Sequence, residues 1–315
     1  MPDVSLVTGG AGFVGSNLVR ALLDRGRDVR ILDDLSTGRR QNLEEVRDDV
    51  DVIEGDVRDL ESVRRAMRGV SVVFHQAAIP SVARSVKDPL PSHEANATGT
   101  LHVLIAAREA GTERVVYASS SSIYGDAQRL PVAEDAAAAP LSPYGVSKLA
   151  GERYLGAFHA SYGMATVSLR YFNVFGPHQD PSSEYAAVVP RFVTATLEGR
   201  PVRIFGDGEQ SRDFTYVGDV VAANLLAAEA TEAAWGRAFN VAYDDRHSVK
   251  DLLAAIRSHV PGEHPEPVHD PPRPGEIRNS QADISLAREL LGYAPTHTFE
   301  EGVRATVEWF RSGGR

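Results

Sequence analysis

The chain has no cysteine, which excludes disulfides, thiolate metal sites and thiol catalysis. That absence fits a cytosolic enzyme, and a cytoplasmic location is expected. No apolar run approaches the length of a membrane span. The pattern of a strand begins almost at once, leaving no room for a signal peptide. Basic residues are in deficit, 33 Lys and Arg against 43 Asp and Glu, for a net charge of −10. That balance argues against a general nucleic-acid binder or a protein of anionic membranes. Internal repeats, coiled-coil heptads and extended low-complexity tracts are lacking too. The histidines form no HExxH pattern, and His264 and His269 fall in a proline-rich loop, so no metal is expected.

What is present is an ordinary globular composition, and 315 residues suffice for a large core and two domains. Short apolar runs alternate with helical patterns through the first half. "VSLVTGG", "DVRILDD", "VDVIEGD", "SVVFHQAA", "RVVYASS" and "TVSLRYFNV" read as buried strands. "GSNLVRALLDRG", "LESVRRAMRG" and "TGTLHVLIAAREAG" read as helices, several ending at a glycine cap. Such alternation predicts an α/β fold with a parallel sheet covered on both faces. After Asn173 the pattern reads as loops rich in Gly, Pro and charge, with one more strand at "FNVA" (Phe239 to Ala242).

Gly9, Gly12 and Gly15 stand between the first strand and the first helix. Glycines there permit a tight turn, close approach of a pyrophosphate to the chain, and free helix N–H groups for its charge. Asp33 ends the second strand, where an acid accepts from ribose hydroxyls and repels a 2′-phosphate. NAD rather than NADP is therefore expected, although Arg39 and Arg40 lie nearby. Asp56 with Val57 ends the third strand, either against an adenine or as an ordinary polar turn. Ala77 and Ala78 end the fourth strand with side chains small enough for a dinucleotide to lie close.

In "LSPYGVSKLA", Tyr144 and Lys148 are one helical turn apart, in a helix that Pro143 can start. Beside a positive nicotinamide, a lysine ammonium next to a phenol favours phenolate, and such a tyrosine can serve as a base near neutrality. The preceding strand ends in Ser119, Ser120, Ser121 and Ser122, where ligands bind in open α/β sheets. At least two of these serines have only turn or capping roles. A serine hydrolase is excluded there, because the segment has no G-x-S-x-G elbow.

Taken with "HQAAIPSVARSVKDP", "ASSSSIYG", "LRYFNVFGPHQDP", "FGDGEQSRDFTYVGDV" and "RPGEIRNSQADISLARELLGY", these residues carry a resemblance over nearly the whole chain. The sequence resembles the extended short-chain dehydrogenases/reductases, and within them the nucleotide-sugar 4-epimerases. That likeness implies a Rossmann-type doubly wound parallel sheet with a smaller C-terminal α/β domain for a UDP-sugar. Residues 1–172 plus about 213–244 would bind NAD, and about 173–212 plus 245–315 the UDP-sugar. It makes Tyr144 the base, Lys148 its activator and Ser120 the partner hydroxyl, with Ser121 the second choice. Phe13, Val14, Asp34, Ser36, Gly38 and Asn96 join the cofactor site. Lys87, Asn173, His178, Val188, Val189, Arg212, Arg273, Glu276 and Ser280 fall to the substrate.

The resemblance also implies a transient 4-keto sugar and a homodimer pairing the helix near Thr98–Glu109 with the Tyr144 helix. Related dehydratases carry an Asp–Glu pair where this chain reads "SSSSIYG", which favours epimerisation over water loss. His178, where glucuronate-specific relatives often have Arg, weakens a glucuronate reading. Ser280 at a gate position leaves room for an N-acetyl group. A UDP-hexose 4-epimerase acting on UDP-N-acetylglucosamine and UDP-glucose is expected. A UDP-glucuronate 4-epimerase, a dehydratase, and a catalytically silent NAD-binding protein are the alternatives.

Overall fold

The computed structural model describes residues 4–181, 187–272 and 277–314. In chain order the regular elements begin β1 Val4–Thr8, α1 Phe13–Leu23, β2 Asp28–Asp33, β3 Val50–Glu54, α2 Leu60–Ala66 and β4 Val70–His75. There follow α3 Val82–Lys87, α4 Pro89–His93, α5 Gly99–Ala110, β5 Arg114–Ser120, α6 Pro143–Tyr162 and β6 Ala165–Tyr171. The second half holds α7 Val188–Leu197, β7 Arg203–Phe205, β8 Ser211–Arg212, α8 Val217–Glu229 and β9 Arg237–Val241. It closes with β10 His247–Ser248, α9 Val249–Ser258, β11 Val268–Asp270, α10 Ser285–Leu291 and α11 Phe299–Arg311.

The seven expected strands form one sheet in the order β3-β2-β1-β4-β5-β6-β9, parallel throughout. The order reverses direction between β1 and β4, which opens the crevice where a dinucleotide binds in such sheets. Inner strands are buried on both faces, which explains their unbroken apolar runs; edge strand β3 is mostly exposed. One face carries an apolar cluster containing Leu18 of α1 and Val220 of α8, and the other carries Val63, Leu104 and Leu155 of α2, α5 and α6. A third cluster gathers Phe175, Phe192, Phe214, Leu252 and Val303. Residues 282–293, which the resemblance gives to the second domain, contribute Ala282, Leu291 and Tyr293 to the first cluster instead.

The stretch after Asn173 departs from expectation, because α7 to α11 occupy much of it. Pro190 falls in the first turn of α7, where proline costs no helical hydrogen bond. Capping boxes open α9 at Ser248 and Asp251, and α11 at Thr298 and Glu301. These helices bury one stripe each, so their signal is periodic rather than compositional.

Candidate active site

The glycine turn is built as its chemistry requires. Gly9 has φ of 71°, and a Cβ there would stand 2.7 Å from the Ala77 backbone nitrogen. A Cβ on Gly15 would overlap the Gly9 carbonyl oxygen. The first turn of α1 has no acidic residue, and no side chain caps it at Gly12, so its N–H groups remain for an anion. Phe13 and Val14 begin that helix.

Asp33 is 6% exposed and accepts from the Ala11 and Leu35 backbone N–H groups at 2.9 and 2.8 Å. Burial raises its carboxyl above the usual range, while those two bonds pull it down. Gly38 packs so closely that a Cβ would lie 2.8 Å from Asp33 Oδ1. Asp34 and Ser36 form an exposed turn beside it, with Ser36 donating from nitrogen and hydroxyl to Asp34 Oδ1. The two nearby arginines are engaged, Arg39 with Asp180 and Arg40 with Glu54. No cation in this corner is thus left over for a 2′-phosphate from that pair. Asp33→Ala should lower NAD affinity by roughly tenfold or more, as for losing a hydrogen bond to a charged group, and narrow discrimination against NADP. Cofactor released from denatured protein checks it; wild type carrying mainly NADP would contradict the assignment.

Asp56 holds Arg58, accepting from its backbone N–H at 2.8 Å and from Nε at 2.7 Å. Burial acts to raise its pKa, but the Arg58 bonds win and lower it. Val57 beside it is buried against Gly99. Ala77 donates its N–H to the Thr8 hydroxyl at 3.2 Å, with Ala78 next along the chain. Asn96 lies in a single π-helical turn, Glu94–Thr98, and is 1% exposed. Its side chain accepts from the Ile79 N–H at 2.8 Å and donates to Ser147 Oγ at 3.0 Å. These bonds tie the segment after β4 to helix α6.

A histidine that sequence reasoning passed over underlies this corner. His75 is 1% exposed; its Nδ1 faces Thr8 Oγ1 at 2.7 Å and its Nε2 faces Thr100 Oγ1 at 2.9 Å. Thr100 gives its own hydroxyl hydrogen to the Asn96 carbonyl at 2.6 Å, so it accepts from His75 Nε2–H and Nδ1 accepts from Thr8. Burial, with the Lys148 charge adding to it, lowers the ring to about 3. Folded protein then binds fewer protons than unfolded chain between pH ~6.5 and about 3, so stability is lost as pH falls through that window. His75→Asn should flatten the acid side of a melting-temperature profile relative to wild type; parallel profiles would contradict it. The signal was in "VVFHQ", since a histidine inside a buried strand must have both nitrogens bonded.

Helix α6 starts at Pro143, with Ser142 Oγ accepting from the Gly145 N–H at 3.1 Å. The Tyr144 N–H donates to Ser85 Oγ at 3.0 Å, which fixes the first turn against α3. The Tyr144 phenol faces Ser120 at the end of β5, and the serine hydroxyl acts to lower its pKa. Lys148, 3% exposed, donates from Nζ to the Ala118 carbonyl at 2.7 Å and lies 5.0 Å from the Tyr117 ring centre. The serine run is sorted by its partners. Ser119 donates to Glu152 at 3.0 Å, and Ser122 donates to Ser120 from nitrogen at 3.2 Å and hydroxyl at 2.9 Å. Ser121 begins the short 3₁₀ turn Ser121–Tyr124.

The expected acidification of Tyr144 is not a property of the protein alone. Burial raises the phenol, with only the Ser120 hydroxyl lowering it, and burial brings Lys148 down to about 7. Desolvation disfavours the charged form of each group, and positive charge from a bound cofactor would favour phenolate.

On the substrate side, β8 gathers three of the expected residues. Arg212 lies in it, and Asn173 (φ 32°) donates from Nδ2 to the Asp213 carbonyl at 3.3 Å. Ser280 donates its N–H to the Ser211 carbonyl at 3.1 Å. Val189 is buried in the third core cluster, while Val188 at the start of α7 is only partly covered. Lys87 is exposed at the end of α3. The His178 backbone is left-handed (φ 69°) and its ring lies 4.9 Å from the Trp309 ring of α11. Arg273 and Glu276 lie outside the described residues.

The profile of the NAD dependent epimerase/dehydratase family matches residues 5–242, the span that builds the sheet and the tyrosine helix. The chain belongs to that family. A UDP-glucose 4-epimerase of Mycolicibacterium smegmatis is 42% identical over 98% of each chain. A solved UDP-N-acetylglucosamine 4-epimerase from Methanobrevibacter ruminantium, in complex with UDP-N-acetylmuramic acid, superposes with a TM-score of 0.93. It is 39% identical and covers 99% of this chain and 100% of its own. The UDP-glucose 4-epimerase of Thermus thermophilus, solved with NAD, is 40% identical with a TM-score of 0.88, covering 98% and 99%. This family member is an NAD-dependent enzyme, and its glycine cradle, free α1 N-terminus and Asp33 fit that dinucleotide. Among the described residues no helix is long and apolar enough to cross a membrane.

Proposed function

We propose that the chain is a UDP-hexose 4-epimerase interconverting UDP-N-acetylglucosamine with UDP-N-acetylgalactosamine, and UDP-glucose with UDP-galactose. One observation carries the reaction: Tyr144 faces Ser120 at the C-terminal end of β5, with Lys148 clamped on Ala118 one turn along the helix. No carboxylate stands in the run from Ser119 to Gly125. Proton abstraction from C5 and loss of water, which a dehydratase needs, lack an acid and a base there.

Tyr144 takes the proton of the sugar 4-hydroxyl, with Ser120 bonding the same oxygen and relaying the proton. NAD, held by the glycine turn and Asp33, would supply the hydride acceptor and donor for C4 and the positive charge that favours phenolate. Lys148 adds its own charge and is held by the Ala118 carbonyl, so it cannot swing away from the phenol. The 4-keto sugar then turns over between the two halves and regains its hydrogen on the other face, with Tyr144 returning the proton.

Arg212 and Asn173 bind the diphosphate, a role suited to charge-assisted hydrogen bonds, and Arg273 and Lys87 assist. Val188 lies along the uracil, and Glu276 toward the ribose. Residues 1–172 plus about 213–244 hold the cofactor, and the remainder the nucleotide sugar. The enzyme is cytoplasmic and homodimeric through α5 and α6, which is supported by exposed Val146 and Tyr154 on α6. Incubating NAD-loaded protein with each UDP-sugar and resolving the epimers tests the proposal. Conversion of both pairs supports it; inertness toward both overturns it.

A further inference from the structure

Along α6, Glu152 follows Tyr144 and Lys148 at the same four-residue interval, so all three share one face of the helix. They meet three successive residues of β5: Glu152 accepts from Ser119, Lys148 donates to the Ala118 carbonyl, and Tyr144 faces Ser120. Glu152 also grips Arg170 of β6 with both oxygens, at 2.6 and 3.0 Å, and Arg170 stands opposite Ser119 in the sheet register. Both members of the pair are nearly inaccessible, with side chains 6% and 5% exposed. The guanidinium continues to the Tyr124 hydroxyl at 2.6 Å, and Tyr124 donates to Asn240 Oδ1 at 2.7 Å. Asn240, 0% exposed, is opposite Arg170 on β9 and donates from Nδ2 to the Val132 and Asp283 carbonyls, each at 2.9 Å. Asp283 is three residues beyond Ser280.

Each link in this row is local and each polar group in it is partnered. A buried ion pair gains little stability over an apolar pair of the same shape, and its best-attested use is to fix one arrangement. We infer that Ser119, Glu152, Arg170, Tyr124 and Asn240 are positioning residues, a polar frame across β5, β6 and β9 that couples the Tyr144 helix to the segment carrying Ser280. The frame holds the proton-transferring groups at a set distance from the sugar-binding side, and this function rests on the proposed epimerase reading.

Ser119→Ala and Asn240→Ala cut the row at opposite ends while leaving the Glu152–Arg170 pair in place. On NAD-loaded protein each should lower kcat by roughly tenfold, the scale of a small misplacement of reacting groups, with NAD content unchanged. The double variant should be no worse than the weaker single one, because residues acting as a unit are non-additive. Ser119→Thr, which keeps the hydroxyl, should restore kcat. Multiplicative losses, or melting temperatures that fall while kcat holds, would overturn the frame. Hydrogen exchange gives a readout independent of activity: Asn240→Ala should lower protection of the Tyr144 to Lys148 amides, and unchanged protection would overturn it. Wild type inert toward UDP-sugars, with Asn240→Ala still showing that loss of protection, would sink the epimerase reading and leave the frame standing.

Discussion

Tyr144→Phe should cut turnover of a UDP-sugar by about 100-fold or more, the scale of losing general-base catalysis, while the purified protein keeps its NAD. The ring packs as before, since the Tyr144 backbone stays fixed by Ser85 and the Ser142 cap stays in place. Only the phenol hydroxyl facing Ser120 is removed. Neither neighbouring hydroxyl can replace it, because Ser119 is committed to Glu152 and Ser122 donates to Ser120. Initial rates of epimer formation and cofactor content, measured on one preparation, check both halves. Near-normal epimerisation by the variant would remove Tyr144 from the chemistry.

The second large effect is selective. Ser280→Tyr should spare UDP-glucose and lower kcat/KM for UDP-N-acetylglucosamine by roughly 10- to 100-fold. The Ser280 backbone is held by the Ser211 carbonyl beside Arg212. On the proposed reading a ring placed there adds volume beside the C2 substituent, and overpacking typically costs ~1–3 kcal/mol. Each ~1.4 kcal/mol is tenfold in rate, which sets the expected range. Both substrates measured on both proteins decide the point. Equal losses would show that Ser280 does not read the sugar.

The sheet and the cofactor turn were legible because both follow from local rules. Strands covered on two faces must be apolar throughout, and a chain folding back at Gly9 against Ala77 has no room for a side chain. The serine run could be narrowed only by geometry, since four adjacent hydroxyls look alike until Glu152 claims Ser119. The partners of His75 were illegible for another reason: Thr8 and Thr100 lie 67 and 25 residues away along the chain. Residue type likewise said nothing of where His178 turns, which a left-handed backbone and the Trp309 ring decide. The Tyr144–Lys148 spacing was read correctly as one helix face, but not its electrostatics. Burial of both groups dominates, and no sequence interval reports burial.

The hydrogen at C4 is the most direct witness of the mechanism. UDP-glucose carrying deuterium at C4 should be converted in ordinary water to UDP-galactose that keeps the deuterium at C4. The hydrogen removed as hydride is the one returned, because a hydrogen held on carbon does not exchange with water. Loss of the label to water, or consumption of the sugar without a 4-epimer, would contradict the account.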